Sequence, residues 1–357
     1  RIVSIGLRAS PIHQVLLDEP GGGATHVGLL ERRLGDTVIF DRSTVDPSLL
    51  RGDPLGWLRA WRRLLAATRY RPGVIHAHGV RAGLAALPVA RLRGAGLVVT
   101  IHGLHSLRAT PSPSRATLFA NRLVLRAADA VLVMSQDDLE TVQRHRLARP
   151  DRVRTTSPIF EPPVPLERAT ARELLGVPTD AVVLLWLGRL ETEKDPSAFI
   201  RALERMEPGS AVAIIAGEGS LRPALEARAS RSPVDIRFSG WCDPGTAMGA
   251  ADVFVSTSRW EGVPIASLEA ASVGLPIVAT AVPGNLELRR RGVPVVLVPP
   301  ADPDALAEAL ALLISEPTYR TQLGHATAEA VSGAFPQDGA LDGLLEVYRA
   351  LAGKGCG

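Results

Sequence analysis

Two glutamates eight residues apart, Glu261 and Glu269, lie in Trp260-Glu261-Gly262-Val263-Pro264-Ile265-Ala266-Ser267-Leu268-Glu269-Ala270. Carboxylates accept hydrogen bonds from sugar hydroxyls. The turn Gly262-Val263-Pro264-Ile265 opens a helical stretch whose free N–H groups suit an anion. The spacing alone means nothing, because chance supplies many such pairs, and two solvated glutamates are the alternative. A second set is Gly188-Arg189-Leu190-Glu191-Thr192-Glu193-Lys194-Asp195. Arg189 and Lys194 share one stretch between a β-rich run and the helix start Asp195-Pro196. Two fixed cations there would stabilise a departing phosphate group as its negative charge grows. Two solvated surface cations are the alternative. Against that stands composition: Lys354 is the only other lysine, so arginine supplies nearly all the remaining positive charge.

Histidines and glycines add weaker signals. His102 ends the β-rich run before Gly103, where it could face a ligand or sit buried against backbone groups. For His76 and His78, in Val74-Ile75-His76-Ala77-His78-Gly79, the buried reading is the preferred one. Gly21-Gly22-Gly23 precedes a helical stretch through Leu34 and would let backbone amides approach a phosphate, with a plain flexible turn as the alternative. Gly217-Glu218-Gly219-Ser220-Leu221 forms another short loop, and Trp241 after Phe238-Ser239-Gly240 is expected in the core.

Elements that could position these groups alternate along the chain. β-rich runs are expected at Ile2 to Ile5 (with Ile12 to Leu17 as a competitor), Thr37 to Phe40, Val74 to Ala77, Leu97 to Ile101 and Ala130 to Met134. The second half repeats the pattern at Val182 to Leu187, Ala211 to Ala216, Ile236 to Ser239, Val253 to Thr257, Ile277 to Ala279 and Val295 to Val298. Helical segments between most of them imply parallel sheets covered on both faces. The series breaks at Pro162-Pro163-Val164-Pro165, where prolines resist both helix and central strand. The expected division is 1–163, 164–335 and a final helix, 336–357. Leu341, Leu344, Leu345 and Tyr348 give that helix its apolar stripe.

Composition narrows the classes. A chain of 357 residues suits two domains, and 46% hydrophobic with 22% charged residues is ordinary for a core-forming protein. The net charge of +3 hints weakly at an anionic partner, but no basic run resembles a nucleic-acid arm. Cys242 and Cys356 form neither a disulfide framework nor a zinc cluster, which suits the cytosol. The start lacks the apolar core of a signal peptide and no run is long enough to span a bilayer. Peripheral contact with the inner face of a membrane stays open. Asp302-Pro303-Asp304 fits a metal-binding D-x-D string, but its place as a helix cap explains it without a metal.

The segment from Trp260 resembles the E-x7-E region of retaining GT-B glycosyltransferases of family four. It shares the Glu261-Gly262 pair, Pro264, Leu268-Glu269-Ala270, Gly274 and Pro276. In that family the first glutamate contacts the donor sugar and the second the nucleotide ribose, and the resemblance assigns Glu261 and Glu269 those roles. Gly188-Arg189 to Lys194 is similar to the family's GR…K loop, whose arginine and lysine hold the diphosphate. His102 matches a strand-end histidine near the transferred sugar, and Gly22 and Gly23 match the first-domain glycine loop. Two departures stand out. Thr155-Thr156-Ser157-Pro158-Ile159-Phe160 replaces a Pro-Asn-Gly-type hinge, and Pro283-Gly284-Asn285 stands where the family often has Gly-Gly.

The resemblance implies a GT-B fold, with two facing Rossmann-like doubly wound domains, a cleft between them and a final helix, 336–357, that crosses back to the first domain. The expected reaction moves a sugar from a nucleotide-diphosphate sugar to an acceptor hydroxyl, with retention and without a metal or resident cofactor. Partners are the nucleotide-sugar donor and an unnamed small-molecule, glycan or lipid-linked acceptor. Alternatives are an epimerase or phosphorylase on the same fold, or an inactive sugar-binding relative. A dinucleotide dehydrogenase is disfavoured, because the first glycine loop lacks G-x-G-x-x-G spacing.

Overall fold

The computed structural model describes residues 11–18, 22–46, 54–104, 107 and 113–352. The chain divides into two units, one running to Ile159 and resuming at Pro336, the other spanning Phe160 to Phe335. The expected run Ile2 to Ile5 lies outside the described residues.

Unit one holds β1 (Ile12–Leu17), β2 (Phe40–Val45), β3 (Val74–His78), β4 (Gly96–Ile101), β5 (Ala130–Val133) and β6 (Val153–Thr155). They form one parallel sheet in the order β2-β1-β3-β4-β5-β6. Successive side chains alternate between two cores. Ile75, Ala77, Leu97 and Val99 face the layer containing the helix Val80–Arg93. Val74, Val98 and Leu132 face the other layer, where Leu29 and Leu30 pack beside Leu341, Leu344, Leu345 and Tyr348. The final helix, Gln337–Ala352, therefore covers the sheet of unit one with its apolar stripe.

Two edge elements depart from expectation. The second strand starts at Phe40 and runs on to Val45, rather than covering Thr37 to Phe40. Its sequence, Phe-Asp-Arg-Ser-Thr-Val, is half exposed, as an edge strand with one neighbour can be. β6 was absent from the expected runs for the same reason: Val-Arg-Thr carries no continuous apolar signal. The buried inner strand β5, Ala-Val-Leu-Val, reads directly as a hydrophobic run.

Unit two repeats the plan with β7 (Val183–Leu187), β8 (Val212–Ala216), β9 (Asp235–Gly240), β10 (Val253–Ser256), β11 (Ile277–Thr280) and β12 (Val295–Val298). The order β12-β11-β10-β7-β8-β9 is again wholly parallel. Val183 and Leu185 face one core, Leu184 and Trp186 the other. Asp302 caps the helix Pro303–Ser315 by accepting from the Ala305 N–H at 3.0 Å, and Asp304 pairs with Arg205. Both carboxylates of the D-x-D string thus have local structural partners.

Candidate functional site

In a doubly wound sheet, the strand order reverses at one point, and the loops leaving the carboxyl ends of the two strands there diverge to leave a crevice. In unit two that point lies between β7 and β10, which are direct neighbours. The loop after β7 carries Gly188, Arg189 and Lys194, and the loop after β10 carries Glu261 and Gly262. Residues more than 60 positions apart are thereby brought together: the Lys194 ammonium pairs with the Glu261 carboxylate. The same Glu261 oxygen accepts from Ser258 Oγ at 3.0 Å. Arg189 pairs with Glu193 at 2.5 Å, so its guanidinium is held beside the loop.

Sequence reasoning missed the groups that hold these loops. Thr257 donates to the Asp195 carbonyl at 2.8 Å and accepts from Trp186 Nε1 at 2.9 Å. Asp195 is buried at φ 42°, caps the helix Pro196–Leu203 through the Ala198 N–H, and accepts from Arg259 at 2.8 Å. The Arg259 N–H closes the frame on the Glu193 carbonyl at 2.9 Å. Glu191 clamps Ser220 through its N–H at 2.8 Å and its hydroxyl at 2.7 Å. The Gly217 loop is thus a buttress for the arginine loop. A side chain at Gly217 would meet the Gly188 carbonyl at 1.8 Å, and its φ of +138° itself favours glycine. Asp195-Pro196 was legible as a helix start; the threonine and arginine bonds needed the fold.

Glu269 lies on the helix Ile265–Ser272, one turn beyond the loop. Pro264 occupies the N-cap position and supplies no side-chain cap, so the first N–H groups, from Ile265 on, have no side-chain acceptor there. Val263 and Ile265 pack against the core cluster and anchor the turn. Burial raises the Glu269 carboxyl to about 7, because the ionised form loses hydration. Gly262 is fixed from the far side by Gly284, where an added Cβ would sit 1.6 Å from the Gly262 carbonyl. Gly284→Ala should displace the Glu261 turn, cost about 1–3 kcal/mol of stability and weaken donor binding beyond that loss. Denaturant melts and donor titration check this; unchanged donor affinity in the folded variant would contradict it.

In unit one, the order reverses between β1 and β3. Gly22 and Gly23 open the helix Gly22–Leu34 that follows β1, while Gly21 lies outside the described residues. His78 ends β3, and His102 follows β4 beside it, with the two rings stacked at 5.4 Å between centroids. His26 contacts both, its centroid 5.1 Å from His102 and 5.7 Å from His78. His76 is wholly buried between Tyr348 at 2.6 Å and Thr100 at 2.7 Å, in keeping with the buried reading. Its partners are side chains rather than backbone. Burial, reinforced by His102, pushes His76 down to about 3, and burial also holds His26 and His78 well below the ordinary histidine value. All three are neutral at physiological pH.

Trp241 corrects an expectation: it is 74% exposed rather than packed in the core. It follows Gly240, whose φ of +66° turns the chain at the end of β9. Among the described residues, no group of three or more His, Cys, Asp or Glu is arranged to hold a metal ion. No described helix is long and apolar enough to cross a membrane.

Two Rossmann-like units, each with a six-stranded parallel sheet and the polar loops gathered at its reversal point, define the GT-B class. Residues 181–316 match the family model described as glycosyl transferases group 1, and residues 8–158 match the glycosyl transferase 4-like domain. D-inositol 3-phosphate glycosyltransferase 1 of Catenulispora acidiphila is 30% identical over 410 aligned positions, covering 100% of this chain and 97% of that protein. D-inositol 3-phosphate glycosyltransferase of Saccharomonospora viridis is 32% identical, covering 98% and 94%. Among solved structures, Anabaena HepE in complex with UDP-glucose superposes with a TM-score of 0.81 at 21% identity, over 95% of this chain and 99% of that one. The chain belongs to the group 1, family-four-like glycosyltransferases.

Proposed function

We propose that this glycosyltransferase moves a hexosyl group from a nucleoside diphosphate sugar to an acceptor hydroxyl, with retention of anomeric configuration and without a metal. The observation that carries the reading is the Lys194–Glu261 pair, which joins the two loops at the reversal point of unit two. Arg189 and Lys194 lie on one loop and offer the positive charge that a leaving diphosphate needs. Glu261, already engaged by Lys194 and Ser258, is suited to orienting sugar hydroxyls rather than attacking carbon. Glu269 receives the ribose, and the open N–H groups before it receive phosphate oxygen. The resemblance gives His102, which follows β4, a role near the transferred sugar. With no carboxylate given the nucleophile's role, the departing phosphate accepts the acceptor's proton on the face it leaves.

The activity for which the relatives are named suggests a phosphorylated cyclitol as acceptor, and the UDP-glucose bound to HepE suggests a uridine donor. The small number of cysteines and the nucleotide-sugar donor support a cytoplasmic reaction. The test is incubation of UDP-sugars with inositol phosphates, with product anomers read by NMR, with and without chelator. Expected is an axial linkage from an axial donor, at an unchanged rate in chelator. An inverted product, complete loss in chelator restored by metal, or epimerised donor without any acceptor would each overturn the corresponding part.

A further inference from the structure

A continuous chain of hydrogen bonds, buried except at its partly buried His102 end, crosses the sheet of unit one. His102 Nε2 meets His78 Nδ1 at 3.1 Å, and His78 Nε2 meets Gln14 Oε1 at 2.7 Å. Gln14 Nε2 donates to the Tyr348 hydroxyl at 3.3 Å, Tyr348 meets His76 Nδ1 at 2.6 Å, and His76 Nε2 meets Thr100 at 2.7 Å. Gln14, His76, His78, Thr100 and Tyr348 are all buried. The links come from β1, β3, β4 and the final helix, the last element of the chain.

Each neutral imidazole has one N–H and one bare nitrogen, and a phenol has one proton. Every link therefore depends on the next. With the Gln14 oxygen toward His78, His78 must carry its proton on Nε2, leaving Nδ1 bare. His102 must then donate from Nε2. On the other side, Tyr348 accepts from Gln14 and so donates to His76 Nδ1, which sends the His76 proton to Nε2 and Thr100. Turning the Gln14 amide over reverses all the links together. No mixed arrangement satisfies every buried group, and an unmet buried polar group is costly.

We propose that this directional relay, poised by Tyr348 through Gln14 and His78, fixes His102 as the Nε2–H tautomer, making Tyr348, Gln14 and His78 positioning residues for the sugar-facing histidine. The depressed protonation of His76 and His78 keeps both rings in the neutral forms that the relay requires. A tautomer fixed in this way makes Nδ1 of His102 the unprotonated nitrogen, an acceptor rather than a donor. The role given to His102 rests on the function proposed above; the relay itself does not.

The relay is tested by long-range 1H–15N NMR of the full chain labelled at histidine nitrogen. Expected are bare Nδ1 and protonated Nε2 for His76, His78 and His102 alike. All three protonated at Nδ1 would reverse the direction, and a mixed pattern would remove the coupling; either result overturns the proposal. Tyr348→Phe releases the Gln14 amide, and the His102 signal should lose its single tautomer. Turnover should fall about tenfold while the donor KM stays within twofold. Adding Gln14→Glu to Tyr348→Phe supplies an acceptor that cannot turn over, and should restore the His102 signal and most of kcat. No recovery in the folded double variant would count against the relay. A restored or lost tautomer with kcat unmoved would leave the relay standing and take His102 out of the proposed reaction.

Discussion

Replacing Glu269 by glutamine should stabilise this protein by up to roughly 3 kcal/mol at pH 8 while weakening its grip on nucleotide about tenfold. The cause is burial, with no cationic partner among the described residues. Desolvation raises the folded-state carboxyl from 4.5 to about 7. The unfolded chain ionises near 4.5, so between pH 4.5 and 7 it gains a stability that the folded chain cannot share. The carboxyl thus opposes folding increasingly as pH rises through that window, and by a constant amount above it. Glutamine removes the penalty, so the gain should be full at pH 8 and absent near pH 4.5. Binding should move the other way. Ribose hydroxyls donate best to an ionised carboxylate, and nucleotide binding to the parent should release a proton below pH 7. Urea melts at two pH values and calorimetry in buffers of different ionisation heat measure both halves. A stability gain equal at pH 5 and pH 8, or proton release that survives in the variant, would contradict the assignment.

The second large effect concerns Lys194. Lys194→Arg should lower kcat about a hundredfold, about 3 kcal/mol of transition-state stabilisation, with a melting temperature close to the parent's. Positive charge is kept, so the loss must come from shape. The ammonium is a compact centre with three rotatable donors, and one of them already meets Glu261. The turn around Glu261 is pinned by Ser258 and by the close approach of Gly284 to Gly262, which leaves little freedom for a longer planar group. Arg189→Lys should also reduce turnover, by losing two-pronged contact with phosphate oxygens. Arg189 is bonded to Glu193, so its replacement also frees that carboxylate. Steady-state kinetics of both variants with one accepted donor settle the matter. Near-parental kcat for Lys194→Arg would make the lysine incidental and weaken the diphosphate assignment of the whole loop.

The role of charge against packing differs between the two ends of this site. Lys194 and Glu261 neutralise one another, so neither needs ligand to be tolerated in a half-buried loop. Glu269 has no such counterion among the described residues and is tolerated at a cost, as groups kept for a ligand often are.

Much of this was readable from the chain alone. Inner strands such as β5, β7 and β8 are buried between two layers and are apolar throughout, so a continuous run is a local signal. The alternation of such runs with helices determined the parallel sheets. Helix starts at Asp195-Pro196 and Asp302-Pro303 were equally legible, since a cap acts within three residues. Edge strands β2 and β6 were not, because one exposed side tolerates polar residues and erases the run. Trp241 was misplaced because size and hydrophobicity predict burial only where another element covers the position, and nothing in unit two covers it. Tertiary structure alone decided which loops meet. Lys194 and Glu261 are paired because β7 and β10 are neighbours at the reversal of strand order, and strand order is set by long-range packing, which no local spacing records. The same holds for Tyr348, whose stripe announced a buried helix face but whose hydroxyl found His76 and Gln14 only when the final helix closed over the sheet of unit one.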